Sequence, residues 1–283
     1  IRNHLLGKTP FDFDIVVSKN PERFSEKLAN NLSGHRVQIG HKMPIIRVVT
    51  KNQTFDISHI KGNNIFEDLA QRDFTINAMA LDPFSGELVD PTGGQQDLER
   101  QVLRTPDPAT FTRDPVRILR LYRFQAELGF KAEPDTVQAA HSAVSLLDRP
   151  SGERIREELF RLLAHDTGWP AIGDMAFPVL TTLFPAIDGI RNLPQNGYHH
   201  KDVLPHTLEV LKHTFHLSGI TGMLGCPDIP LTTEDRIVLR LAALFHDVGK
   251  AETAAINQNG LHTFKGHQYI SAQRFQDDIA RLR

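Results

Sequence analysis

The stretch FDFDIVV at residues 11–17 admits few folds. Two aspartates one residue apart run into a β-branched segment, the pattern of a strand. Alternation along that strand puts Asp12 and Asp14 on one face, about 7 Å apart, and Phe11, Phe13 and Ile15 on the other. Like charges held that close repel unless a cation sits between them. A strand edge that is merely polar is the plain alternative, and the D-x-D alone does not separate the two.

The remaining totals narrow the setting. A chain of 283 residues, 40% of them hydrophobic, can bury a sizeable core and divides into two or three domains. No apolar run approaches a membrane span and no charged-then-apolar leader opens the chain, so the expected location is the cytoplasm, with no membrane partner. The single cysteine, Cys226, has no thiol partner for a disulfide or a zinc site, which fits a reducing compartment. With 32 basic and 34 acidic residues there is no whole-molecule field for a polyanion, so any nucleic-acid contact is local.

Three textures follow one another, and together they predict an α+β protein. Over residues 1–94 short β-rich segments (DIVV, IIRVVT, QTFDI) alternate with helical stretches such as NPERFSEKLANNL, as in a small mixed sheet with helices. Residues 95–166 turn helical, with DPVRILRLYRFQAEL and SGERIREELFRLLAH both amphipathic and both opening on a capping residue. Residues 167–283 stay helical, with LPHTLEVLKHTFHL and then EDRIVLRLAALFHDVG, which is expected to close on Gly249. Arg2 to Gly7 reads as a helix already under way, so a longer protein is expected, with residues before Ile1 and after Arg283.

Clustered carboxylates can hold the metal ions that stabilise the attacking and leaving oxygens of a phosphoryl displacement, and Asp12 and Asp14 suit that task. Asp56 in QTFDIS lies on another predicted strand. It could sit beside the first pair and help to deprotonate an attacking hydroxyl, or be a solvated strand end. In EDLAQRDFTINAMALD, Arg72 could reach a triphosphate while Asn77 anchors a sugar; a structural Arg72–Asp73 pair capping a helix is the alternative. Arg113, Arg117 and Arg120 fall at i, i+4 and i+7, apart from the core-facing Ile118, Leu121 and Tyr122. Asp114 accepts and Arg117 donates, a pairing that could match a base edge; a solvated basic helix face is the alternative.

Taken in order, IRNHLLG, DFD, QRDFTINAMA, DPTGGQQDL and RDPVRILRLYRF resemble the class II tRNA nucleotidyltransferase and bacterial poly(A) polymerase family from Ile1 to about Leu163. The resemblance implies a nucleotidyltransferase palm followed by an all-α neck. It implies magnesium on Asp12 and Asp14, and Arg2, Arg72 and Asn77 near the phosphates and sugar of CTP or ATP. Asp114 and Arg117 would be a protein template selecting cytosine or adenine, supported by Arg120 and Arg123. Asn3 stands where the family has aspartate, and Arg113 where it often has glutamate. Only 15 residues, 57–71, separate Asp56 from Arg72, similar to relatives that add only CC or only A.

In the last third, ALFHDVGK sets His246 beside Asp247 at a helix end, with His206 upstream and His267 downstream. Imidazole and carboxylate together suit a divalent transition metal or magnesium. This arrangement resembles the HD phosphohydrolase superfamily, whose last aspartate lies further downstream than Asp277 or Asp278. His199, His200, His213 and His216 read as surface or packing residues. The leading expectation is an enzyme that adds C or A to the 3′ end of tRNA from CTP and ATP. A poly(A) polymerase, an HD-type phosphohydrolase with an RNA-binding first half, and a non-catalytic RNA-binding remnant are the alternatives.

Overall fold

A computed structural model describes residues 1–40, 45–195, 201–217, 219–220 and 229–283. Cys226, His199 and His200 lie outside the described residues. The chain forms two compact units, Ile1–Asp107 and Pro108–Arg283.

The first unit opens with a short helix α1 (Arg2–Leu5) and then strand β1 (Asp12–Val17). Helix α2 (Pro21–Leu32) follows, with Pro21 at its first position, where a missing N–H costs nothing. Strands β2 (His35–Ile39), β3 (Ile45–Val49) and β4 (Thr54–His59) complete a mixed sheet in the order β1-β4-β3-β2. β1 and β4 run parallel, while β3 is antiparallel to both β4 and β2. The expected alternation is present. Ile15, Val17, Phe55 and Ile57 pack with Val48 and with Leu28 and Ala29 of α2, and Phe13 stacks on Phe55 with ring centres 5.2 Å apart.

After β4 come helix α3 (Ile65–Ala70), a 3-10 turn at Thr75–Asn77, a hairpin of two-residue strands (Ala80–Leu81, Leu88–Val89) and helix α4 (Gly94–Glu99). The sequence reading ends this domain near Gly94, whereas the compact unit runs on to Asp107. The reason is a buried polar knot. Asp97 of α4 accepts the Thr75 hydroxyl at 2.7 Å and the Arg104 guanidinium at 3.2 Å, and the Thr75 amide donates to the Arg104 carbonyl at 2.8 Å. Both glycines of DPTGG are used here. Gly93 takes the left-handed conformation (φ +76°), and a Cβ on Gly94 would lie 2.3 Å from the Thr75 carbonyl oxygen.

The second unit is helical. Its elements are α5 (Thr110–Arg113), α6 (Val116–Leu128), α7 (Pro134–Ser142), α8 (Gly152–Ala164), α9 (Trp169–Met175), α10 (Thr181–Leu183), α11 (Pro185–Asp188), α12 (Val203–Thr214), α13 (Thr233–Phe245), α14 (Lys250–Thr253) and α15 (His267–Ala280). Pro115 separates α5 from α6, because the residue before a proline is pushed out of the helical region and Asp114 is extended (φ −145°, ψ 92°). The expected single basic face is therefore broken: Arg113 ends α5, while Arg117 and Arg120 belong to α6. α6 buries Ile118, Leu119, Leu121, Tyr122 and Phe124 against α8 and α9. Thr232 and Asp235 form a capping box at the start of α13. That helix ends at Phe245, four residues before the expected Gly249, and His246 is its C-cap.

α8 and α13 are joined by a buried cation. Arg240 of α13 is fully buried, stacks on Phe215 (3.9 Å to the ring centre), bonds Asp166 at 2.9 Å and donates to the carbonyls of Leu163 and His165 at the end of α8. It supplies acceptor-rich helix-end carbonyls with a positive charge, where one is favoured.

Candidate active site

Parallel pairing sets Asp14 directly beside Asp56, and Asp12 beside Thr54. Asp12 and Asp14 lie on the face opposite the core, with the Asp14 carboxyl group crowded by its neighbours. Burial of its carboxyl group by the surrounding protein pushes Asp14 above the usual carboxylate range; the Arg72 charge pulls it back, and the charges of Asp56 and Asp12 push it further up. That is the like-charge crowding expected of a D-x-D built to receive a cation, and an all-oxygen donor set suits magnesium. Asp56 stands where the sequence places it, but its oxygens are engaged. Arg47 of β3 donates from Nε to Oδ1 and from Nη2 to Oδ2, both at 2.7 Å. These two charge-assisted bonds fix the plane of the Asp56 carboxylate beside Asp14.

The residues expected near phosphate and sugar form two tethered groups. Arg2 donates to Asn77 Oδ1 at 2.8 Å, and Asn77 Nδ2 donates to Asp73 Oδ1 at 3.0 Å. Arg72 pairs with the buried Asp68 at 2.6 Å, and Asp73 Oδ1 accepts the Phe74 amide. Asp68 Oδ2 also accepts the Lys61 amide, which ties down the short segment between Asp56 and Arg72.

In the helical unit Asp114 Oδ2 accepts from Arg154 Nη2 at 2.8 Å and lies 3.9 Å from Arg117 Nε. Arg117 Nη1 donates to the Thr110 hydroxyl. Arg120 reaches Glu158 Oε1 at 3.2 Å. Arg123, expected to support the template or the phosphates, is buried, bonds Glu158 Oε2 and pairs with Glu127, with its guanidinium 4.1 Å from the Phe124 ring centre. An arginine satisfied on every side in this way orients α6 against α8 and does not meet a ligand. The sequence reading missed Arg47, Arg154 and Glu158, whose partners lie 9, 40 and 35 residues away, beyond any local periodicity.

Among the described residues one trio brings candidate metal-binding atoms within 4.8 Å of one another: His206, His246 and Asp247. His246 Nε2 is 3.2 Å and His206 Nε2 3.9 Å from Asp247 Oδ2; His267 Nε2 is 3.4 Å from Oδ1. The Nδ1 atoms of His246 and His267 each lie 2.8 Å from a backbone carbonyl, of Ala243 and Phe264. A carbonyl only accepts, so Nδ1 carries the proton and Nε2 is turned toward Asp247, the orientation that metal-binding histidines require. Lys250 Nζ bonds Asp247 Oδ2 at 2.7 Å and Gln195 at 2.7 Å, supplying a positive charge to the same oxygen. Burial works against ionising Asp247, but His246 and Lys250 outweigh it and hold the carboxyl well below the usual range. Burial likewise disfavours charge on His246, and Asp247 outweighs it, lifting the imidazole above its ordinary value. Two imidazoles and a carboxylate fit a divalent transition ion better than magnesium. Asp277 faces Arg274 and Gln273, and Asp278 accepts the Ala186 amide, so neither joins the cluster. His213 and His216 are exposed, as expected.

The sheet with its acidic pair lies within residues 1–104, which match the model of the Poly A polymerase head domain. Residues 129–190 match the probable RNA and SrmB-binding site of polymerase A, and residues 203–282 match the HD domain. A CC-adding tRNA nucleotidyltransferase of Halalkalibacterium halodurans is 37% identical over 67% of this chain and 48% of its own length. An A-adding tRNA nucleotidyltransferase of Deinococcus radiodurans is 32% identical over 100% of this chain and 63% of its own length. The Multifunctional CCA protein of Haemophilus influenzae is 30% identical over 100% of this chain and 69% of its own length. A CCA-adding enzyme solved with ATP superposes with a TM-score of 0.67 at 27% identity, over 100% of this chain and 60% of that one. The chain belongs to the tRNA nucleotidyltransferase and poly(A) polymerase family. It spans about half to two thirds of the length of the first two relatives.

Proposed function

We propose that this protein is a cytoplasmic RNA nucleotidyltransferase that adds C, A or both to the 3′ end of tRNA, from CTP and ATP. The observation that carries the reading is the register of β1 and β4, which sets Asp14 beside Asp56 and, two residues from it on the same face, Asp12. The terminal 3′-hydroxyl of the RNA gives up its proton to solvent as its oxygen bonds to the α-phosphorus of the nucleotide, the bond from that phosphorus to the bridging oxygen breaks, and pyrophosphate leaves. Asp12 and Asp14 would hold divalent magnesium, which when bound supplies the charge that stabilises the attacking and leaving oxygens. Arg72 and Arg2 bring positive charge to the triphosphate, Asn77 is held by Asp73 for the sugar, and Asp114 with Arg117 reads the base. Asp56, held by Arg47, adds fixed negative charge beside Asp14 and keeps the pair electrostatically hungry for a cation. Positioning and electrostatics supply most of the acceleration in such a displacement.

The test uses transcripts of tRNA lacking CCA, CA or A, each with labelled CTP or ATP alone. Growth of particular transcripts assigns the specificity, and a long ladder on arbitrary RNA assigns a poly(A) polymerase instead. Asp12→Ala is expected to abolish incorporation; undiminished incorporation would defeat the assignment.

The His206, His246 and Asp247 trio favours a second, separate reading, a metal-dependent phosphohydrolase activity of the HD region. Its test is Mn2+ or Ni2+ titration followed by calorimetry, together with phosphate release from a model ester. His246→Ala removes a ligand and is expected to weaken metal binding by more than the roughly 10- to 100-fold that loss of an outer partner costs. Equal affinity in the variant, or ester hydrolysis that survives it, would remove this reading.

A further inference from the structure

We infer that Arg154 is a positioning residue for base selection: it fixes the Asp114 carboxylate through Oδ2 so that Oδ1 faces the incoming base. The inference rests on the reading above in which Asp114 and Arg117 meet the base edge. Cytosine and adenine each place an exocyclic amino donor beside a ring-nitrogen acceptor, whereas uracil and guanine place a carbonyl beside an N–H. A carboxylate oxygen next to a guanidinium therefore complements the first two and opposes the last two. Discrimination depends on which way the carboxylate points.

Among the described residues that carboxylate is met by side chains. Asp114 lies in the extended break between α5 and α6, outside either helix. Its orientation comes from across the fold, where Arg154 in the first turn of α8 donates to Oδ2 at 2.8 Å, while Oδ1 takes no bond among the described residues. Arg117 Nε stands off at 3.9 Å and its Nη1 is directed to Thr110. With Arg154 absent, the Asp114 carboxylate can turn away from the base, which costs the site its oriented acceptor.

The helix that presents Arg154 is itself held in place. Glu158, one turn further along, takes Arg120 and Arg123, and the start of α8 runs so close to residues 281 and 282 that a Cβ on Gly152 would lie 2.2 Å from the Arg281 carbonyl oxygen. Arg154 is thus a donor on a fixed support, aimed at a carboxylate in the break between two helices. A planar guanidinium also sets the plane of the carboxylate it bonds, which an ammonium does not.

The experiment measures single-nucleotide incorporation of CTP, ATP, UTP and GTP on tRNA lacking its terminal residues, with the whole protein and its Arg154→Ala, Arg154→Lys and Asp114→Asn variants. Arg154→Ala is expected to raise KM for the preferred nucleotide about tenfold with a smaller change in kcat, and to lose about tenfold in preference over UTP or GTP. Arg154→Lys recovers part of both losses, and adding Arg154→Ala to Asp114→Asn changes the preference little further. An unchanged KM and preference in Arg154→Ala would overturn the inference, as would a uniform fall in kcat for all four nucleotides. Failure of the wild-type protein to transfer any nucleotide would instead overturn the underlying nucleotidyltransferase reading; the Asp12→Ala comparison reports that independently.

Discussion

Arg47 and Asp56 face each other across the antiparallel β3–β4 pair and share two hydrogen bonds of 2.7 Å, one to each carboxylate oxygen. The pair stands beside Asp14, so the guanidinium both orients Asp56 and offsets part of the negative charge that Asp12, Asp14 and Asp56 collect. Arg47→Ala would free Asp56 to rotate and would increase repulsion within the acidic group. Nucleotide incorporation should fall at least tenfold, with Arg47→Lys recovering a fraction because an ammonium cannot bond both oxygens in one plane. Rates for the three proteins at saturating nucleotide check this; an Arg47→Ala rate within twofold of wild type would contradict it.

Gly94 is expected to resist substitution for a steric reason. Its missing Cβ would lie 2.3 Å from the Thr75 carbonyl oxygen and 2.9 Å from Met79, in the turn that carries Asn77. Gly94→Ala should destabilise the first unit by about 1–3 kcal/mol, the usual cost of forced overpacking. The same shift displaces Asn77, so KM for nucleotide should rise as well. Urea denaturation and nucleotide titration read the two effects; a variant as stable as wild type would show that the α4 contact yields without strain.

Asp166 gives a pH dependence of stability. Burial tends to raise its carboxyl pKa, but hydrogen bonds from Arg236 and Arg240 outweigh it and hold the group below the usual range. A depressed native pKa contributes stability above the unfolded value of about 4 and loses it as pH falls through the native one. Asp166→Asn should therefore lower stability most at neutral pH, by about 1–2 kcal/mol, with the gap closing below about pH 4. The figure is smaller than for a fully buried pair because Asp166 is 54% exposed, although its partner Arg240 is 0% exposed. Thermal melts of both proteins from pH 3 to 7 test the trend, and a gap constant with pH would refute it.

Elements with a strong period were legible in the sequence, and elements set by distant partners were not. β1, β3 and β4 followed from their β-branched runs, and the shared face of Asp12 and Asp14 followed from alternation alone. β2 carried no such signal because all five of its residues are exposed, leaving no inward face to recognise. The expected basic stripe of Arg113, Arg117 and Arg120 assumed an unbroken helix, and Pro115 interrupts it. The resemblance alone makes Arg123, with Arg120, a support of the template or the phosphates, and Glu158 draws Arg123 into the core from 35 residues away. His206, His246 and Asp247 were readable as a motif, whereas the Lys250 and Gln195 charge relay on Asp247 was not.

Arg240 has a bearing on how such proteins can diversify. Its acceptors, the carbonyls of Leu163 and His165 and the carboxylate of Asp166, all precede residue 167, while the arginine itself comes from α13. A recombination event that exchanged only the segment after 166 would pair a buried guanidinium with whatever helix end its new host supplied. Exchange of the HD-type region between relatives is tolerated most readily when the crossover falls upstream of α8, so that lock and keyhole are inherited together.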